Sequence, residues 1–180
     1  MARLGNLFCF YLDTRKIRFY DDTGKMYAES EEACVISSHC LAWQPSGGLI
    51  GTLCKTPSGA TVVMFLELNG LKRSDFDPFE GRAKEDNEPV LDLLWNTSSD
   101  ILALRKRSSV ELWHRSNYFW MLKKTVNLED ASGTVPKDGT LSYLSWDSEL
   151  PYRYGFFRRV CGRTCGQCFN CSYVVLSDSM

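Results

Sequence analysis

Three segments of this chain repeat one pattern at a nearly fixed interval, and that interval limits the folds open to it. Trp43, Trp95 and Trp146 each close a short apolar run, at spacings of 52 (43 to 95) and 51 (95 to 146) residues. A polar turn and a further apolar run follow each tryptophan. From Leu41 to Asn69, LAWQPSGGLIGTLCKTPSGATVVMFLELN, the order is apolar run, turn, apolar run, turn, apolar run. Antiparallel strands joined by tight connections are written this way. The order returns in Leu91 to Tyr118, LDLLWNTSSDILALRKRSSVELWHRSNY, and begins again in Leu141 to Phe157, LSYLSWDSELPYRYGFF. The interval is a little above the roughly 40 to 50 residues of a four-stranded propeller blade. The expected fold class is therefore all-β, an incomplete β-propeller of about two full blades plus partial blades, followed by an irregular carboxy-terminal tail.

Residues 6 to 30 read as the second half of a blade whose first part is missing. Strands are expected over Asn6 to Leu12, Lys16 to Tyr20 and Lys25 to Ser30, with a glycine turn at Asp21-Asp22-Thr23-Gly24. The first complete repeat has strands at His39 to Trp43, Leu49 to Cys54 and Thr61 to Leu66, and Asn69-Gly70 closes a hairpin. Residues 77 to 89 form a polar surface loop. The second repeat spans Val90 to Trp95, Ile101 to Arg105, Val110 to His114 and Tyr118 to Val126, and the third spans Thr140 to Trp146 and Tyr152 to Phe157. Residues 1–157 thus make a partial β-propeller, and 158–180 a divergent, disordered cysteine-rich tail. Trp43, Trp95 and Trp146 are the structural residues of this scheme, wedged between adjacent sheets.

Few functions fit this composition. With 21 basic against 22 acidic residues in 180, the net charge is −1, a poor footprint for phosphate recognition. The longest apolar runs are too short to span a bilayer, and the start, MARLGNLFCFYLD, lacks the cleavage pattern of a leader. The two histidines, His39 and His114, have no Gly-x-Ser-x-Gly motif beside them, and Ser46-Gly47-Gly48 lacks the Gly-Lys-Ser/Thr that cradles phosphate. Glu85, Asp86 and Glu88 lie on a polar loop, a poor place to hold an acid and a base in register. No catalytic residue and no cofactor are expected.

Two clusters require separate arguments. Cys9, Cys34, Cys40 and Cys54 are scattered through strand-like segments, where a thiol packs as a small hydrophobe. Cys161, Cys165, Cys168 and Cys171 are crowded into a C-x3-C-x2-C-x2-C run. Soft ligands this close suit zinc or an iron–sulfur cluster in kind, but structural zinc sites usually split their ligands into two distant pairs, and common cluster runs order the gaps differently. No metal is expected, and these four cysteines are the only candidates. Tyr118, Phe119, Trp120, Lys123 and Lys124 mix aromatics with cations, as base-stacking surfaces do. An outer strand with aromatics turned inward and lysines in water explains them with less. Arg105-Lys106-Arg107 reads as a solvated hairpin turn.

The segments LAWQPSGGLIG, VVMFLELNGL, LDLLWNTSSDILAL, VELWHRSNYFWMLKK and LSWDSELPYR resemble, in this order, the amino-terminal WD-repeat propeller region of the Elongator complex protein 1 family. The match covers residues 14 to 154. The resemblance implies a non-catalytic scaffold within a cytoplasmic, and also nuclear, assembly that modifies the wobble uridine of transfer RNA. Its implied partners are other Elongator subunits, with transfer RNA contacted only indirectly or weakly and no membrane involved. An incomplete propeller leaves blade faces uncovered, so self-association is a further expectation. The alternative is a direct transfer RNA-binding or metal-binding regulatory module. The family carries a longer insertion where this chain has Arg105 to Ser109, and no counterpart is seen after Gly155.

Overall fold

The computed structural model describes residues 2–4, 7–11, 16–31, 40–82, 88–117, 119–127, 140–146, 153–159 and 171–177. All regular elements among them are strands, joined only in antiparallel pairs. The chain divides into two compact units, Met1–Asn87 and Glu88–Met180.

The first unit holds two four-stranded meanders. Strands β1 (Ala2–Leu4), β2 (Leu7–Tyr11), β3 (Ile17–Tyr20) and β4 (Met26–Glu29) pair in chain order. So do β5 (Leu41–Trp43), β6 (Leu49–Lys55), β7 (Thr61–Glu67) and β8 (Lys72–Phe76). Here the half-blade expected from residues 6 to 30 is corrected, because Ala2–Leu4 supplies the missing first strand. Three residues are too few to display an alternating pattern, so this strand left no periodic signal. The first strands of the two sheets, β1 and β5, lie alongside each other.

Burial follows the period of two. Ile50, Thr52 and Cys54 on β6 share a face with Val62, Met64 and Leu66 on β7, and Ile17 and Phe19 of β3 pack with this face as one core. Leu53, Val63 and Phe65 are buried on the opposite face, which explains why β6 and β7 read as nearly continuous apolar runs. The wedge is visible at Trp43, whose ring meets Phe19 edge-on with centroids 6.1 Å apart. Arg18 stands directly across from Glu29, whose carboxylate takes Arg18 Nε and Lys16 Nζ at 2.6 Å each.

The second unit repeats the plan. Strands β9 (Asp92–Trp95), β10 (Ile101–Arg105), β11 (Ser109–Ser116) and β12 (Phe119–Asn127) form the third meander. Strands β13 (Thr140–Trp146), β14 (Arg153–Arg159) and β15 (Cys171–Ser177) form a three-stranded sheet. Ile101, Ala103, Val110, Leu112 and Val126 bury one face of the third meander together with Leu144, while Leu94 and Trp146 pack at the margin.

The expectation that regular structure ends at Phe157 is corrected in this unit. β14 continues to Arg159, and β15 pairs with it from Arg153 opposite Ser177 to Arg159 opposite Cys171. Tyr173, Val174, Val175 and Leu176 have the β-branched and aromatic character that strands favour. Crowded cysteines hid that signal.

The repeat extends to individual hydrogen bonds. After Trp43, Gln44 N donates to Leu49 O and Gly47 N to Gln44 O, and Gly47 has φ +84°. After Trp95, Asn96 N donates to Ile101 O and Ser99 N to Asn96 O, and Ser99 has φ +67°. Each pair of equivalents is 52 residues apart (44 to 96, 47 to 99). In the second turn a fully buried Asn96 compensates for the missing glycine. Its Oδ1 accepts from Asp100 N and Ile101 N, and its Nδ2 donates to Asp100 Oδ1 and Ser98 Oγ.

Candidate functional site

The three repeat tryptophans end the first strands of three successive sheets. Trp43 and Trp95 are 9% and 6% exposed, and Trp146 is half-buried. Trp146 Nε1 donates to Leu94 O at 3.4 Å, tying the fourth sheet to the first strand of the third. Trp43 meets Phe19 of the first sheet and Trp146 meets Leu94 of the third, contacts between sheets that suit a large ring with one polar handle, whereas Trp95 packs on Trp120 within its own sheet.

Cys161, Cys165 and Cys168 lie outside the described residues, as do Cys34, His39, Glu85, Asp86 and Tyr118. Cys171 opens β15, and Cys40 and Cys54 are buried without a disulfide. Among the described residues no three His, Cys, Asp or Glu side chains come together in a way that would hold a metal ion. His114 sits on β11 between Ile101 and Met121, half-buried.

The basic triplet is not a solvated turn. Lys106 Nζ bonds Glu111 Oε1 at 2.6 Å with both side chains 3% exposed, and Glu111 Oε2 accepts from Trp113 Nε1 at 3.1 Å. Arg105 lies 3.7 Å from Asp92 Oδ2, its partner across the sheet. Only Arg107 of the three is exposed. The signal in the sequence was the alternation in Val110-Glu111-Leu112-Trp113, which places Glu111 and Trp113 on one face of a buried strand. A cation was needed there, and Lys106 reaches it.

Glu88 likewise has a fixed role. Its carboxylate accepts from Ser108 N at 2.7 Å and Ser108 Oγ at 2.8 Å, clasping the β10–β11 hairpin tip. Nothing in the spacing of these residues announced the contact.

Elsewhere, carboxylates are likewise occupied in holding turns and strands. Lys16 and Arg18 hydrogen-bond the Glu29 carboxyl and hold it below its ordinary value against a smaller opposing effect of desolvation. Asp21 is lowered by its bond from Thr23 Oγ1, then by the backbone amide of Lys25. Arg18 is raised by its bond to Glu29.

Among the described residues, large apolar side chains are exposed at Met26 and Tyr27 on β4, at Leu71, and at Phe119, Met121 and Leu122 on β12. This nine-residue strand forms one margin of its sheet. The expected inward turn of its aromatics is corrected in part. Trp120 packs on Trp95, with centroids 5.6 Å apart, whereas Phe119 is 75% exposed. Met121 and Leu122 are exposed too, and Lys123 and Lys124 follow them. A marginal strand has one paired neighbour, so its side chains escape burial on either face.

The profile described as ELP1 first N-terminal beta-propeller matches residues 5–149. Elongator complex protein 1 of Schizosaccharomyces pombe is 39% identical over 115 residues, which cover 63% of this chain and 9% of that protein. Its counterpart in Mus musculus is 34% identical over 157 residues, 81% of this chain and 11% of that protein. In Saccharomyces cerevisiae the identity is 31% over 146 residues, 79% of this chain and 10% of that protein. The chain thus spans about a tenth of the length of these relatives. Among solved structures, the β-propeller domain of the Trilobed protease from Pyrococcus furiosus aligns with 98% of this chain and 53% of its own, at TM-score 0.53 and 12% identity. That likeness concerns fold alone. Repeated meanders and the match over residues 5–149 lead to one conclusion: the chain belongs to the Elongator complex protein 1 family and is similar over those residues to its first amino-terminal β-propeller.

Proposed function

We propose that this chain is a non-catalytic scaffold module of the Elongator assembly, contributing binding surface to the modification of wobble uridine in transfer RNA in the cytoplasm. Family membership supports the reading, and one structural observation carries it. The well-placed acids and cations, Lys106 with Glu111, Glu29 with Lys16 and Arg18, and Glu88 with Ser108, hold the sheets together. Exposed apolar side chains supply a surface for a partner protein instead. Other Elongator subunits are the partners proposed, and transfer RNA is met through them.

Co-purification tests this directly. Tagged chain expressed in cells is expected to recover other Elongator subunits in an amount that survives physiological salt. Recovery no greater than that of an unrelated propeller overturns the proposal. Salt-sensitive retention of transfer RNA by the isolated chain, without those subunits, would assign it a direct RNA-binding role.

A further inference from the structure

We infer that Asn69 is a site of spontaneous deamidation, held back by the folded β7–β8 turn and released when the first two sheets part. Of the chain's asparagines only Asn69 precedes a glycine. An asparagine before glycine is the most reactive pairing, because no Cβ on the second residue hinders the approach of its nitrogen. In the reaction Gly70 N loses its proton to hydroxide and attacks Asn69 Cγ. The C–N bond of the side-chain amide breaks, and its nitrogen leaves as ammonia after taking a proton from water. Water then opens the cyclic imide at either carbonyl. Attack at the side-chain carbonyl leaves aspartate, and attack at the main-chain carbonyl leaves isoaspartate, whose extra carbon lies in the backbone.

Hydrogen bonds in the folded turn oppose the first step. Gly70 N donates to Glu67 O at 2.9 Å, so its proton is occupied and its nitrogen is withheld from Cγ. Asn69 Oδ1 accepts from Leu71 N at 3.0 Å, and Asn69 Nδ2 donates to Glu67 Oε2 at 3.4 Å, which fixes the amide to be attacked. Glu67 N closes the turn by donating to Leu71 O at 2.9 Å. Asn69 itself is exposed and Gly70 is buried. A Cβ on Gly70 would lie 2.6 Å from Glu29 O, so the main chain of the first sheet braces the turn of the second. Local opening that draws Gly70 away from Glu29 removes the brace and frees the nitrogen. The two products then differ in consequence. Aspartate keeps an acceptor for Leu71 N, whereas isoaspartate lengthens the main chain where Gly70 has no room to shift.

The experiment incubates the full chain, reduced, at physiological temperature and pH. The tryptic peptide from Thr56 to Lys72 is weighed for conversion of amide to acid, and its isoaspartate is measured by enzymatic methyl transfer. The same chain in guanidinium and a synthetic peptide of residues 65–73 give the rate without the brace. The folded chain is expected to react at least ~10-fold more slowly than either. Phe19→Ala, which removes the ring that meets Trp43 between the two sheets, is expected to raise the folded rate, and Asn69→Gln to abolish the conversion. Asn69→Asp should melt as the parent does, and chain enriched in isoaspartate should melt lower. Equal rates in the folded chain and the peptide overturn the inference, as does a folded rate untouched by Phe19→Ala or an absence of conversion in the unfolded chain. Equal melting of the aspartate and isoaspartate forms overturns the bracing of the turn by Glu29.

Discussion

Lys106 Nζ stands 2.6 Å from Glu111 Oε1 with both side chains 3% exposed, and the second oxygen of the same carboxylate takes the indole N–H of Trp113. Two charges withdrawn from water this far depend on each other. Removing one leaves the other buried and unbalanced, which costs about 3–5 kcal/mol. Lys106→Met is therefore expected to destabilise the chain by about that amount in urea titrations followed by tryptophan fluorescence. Adding Glu111→Gln, which keeps an acceptor for Trp113, should restore most of the loss. A single variant costing under about 1 kcal/mol would mean that water reaches the pair.

The ring of Trp95 touches that of Trp120 across the same sheet, at 5.6 Å between centroids. Trp95 is buried and Trp120 only half so. Trp95→Ala is expected to cost about 3–5 kcal/mol, and Trp120→Ala less than half of that. Because the rings are in contact, the double variant should fall short of the sum by about 0.5–1.5 kcal/mol. Equal single losses with full additivity would remove Trp95 from its role as the inter-strand anchor.

Much of this architecture was legible in the sequence because the repeat is written in tryptophans and turn residues. Trp43, Trp95 and Trp146 marked three first strands, and Thr140 to Trp146 was bounded correctly to the residue. Local pattern is enough there, since alternation and turn chemistry are properties of neighbours along the chain. Ala2–Leu4 was missed because three residues carry no period. Cys171–Ser177 carries a strand signal only over Tyr173 to Leu176, behind a cysteine- and glycine-rich run with no period of two. Lys106 misled for another reason. A basic triplet at a hairpin normally faces water, and only the fold shows that Glu111 needs a cation. Contacts such as Glu88 with Ser108, 20 residues apart, lie beyond what spacing can reveal.

Gly70 and Gly59 offer a matched test of blade approach within one sheet. Both have positive φ, +84° and +85°. A Cβ on Gly59 would meet nothing within 4 Å, whereas one on Gly70 would sit 2.6 Å from Glu29 O, on the backbone of the neighbouring sheet. Gly59→Ala carries only the left-handed penalty, about 1 kcal/mol. Gly70→Ala carries that and a clash with main chain that cannot swing aside, about 1–3 kcal/mol more. Thermal melts of the two variants should differ accordingly. Identical melting would show that the first two sheets do not pack as closely as Gly70 and Glu29 require.

Glu29 gives the acid response of the same contact. Lys16 and Arg18 lower its pKa from the ordinary value of 4.5 by hydrogen-bonding the charged form. A group lowered in the folded state binds its proton more readily when unfolded. Its contribution is therefore present above 4.5 and is lost as pH falls from there through the lower folded value. Asp21, lowered from 3.8 by Thr23 and the Lys25 amide, acts in the same direction further into acid. Glu29→Gln removes the titration and leaves two cations facing a neutral amide. The difference in melting temperature between the natural chain and this variant should stay constant near neutrality and narrow once the pH drops below 4.5. A difference that holds its size throughout the acid range would mean that Glu29 supports β3 and β4 through packing, with its charge contributing nothing.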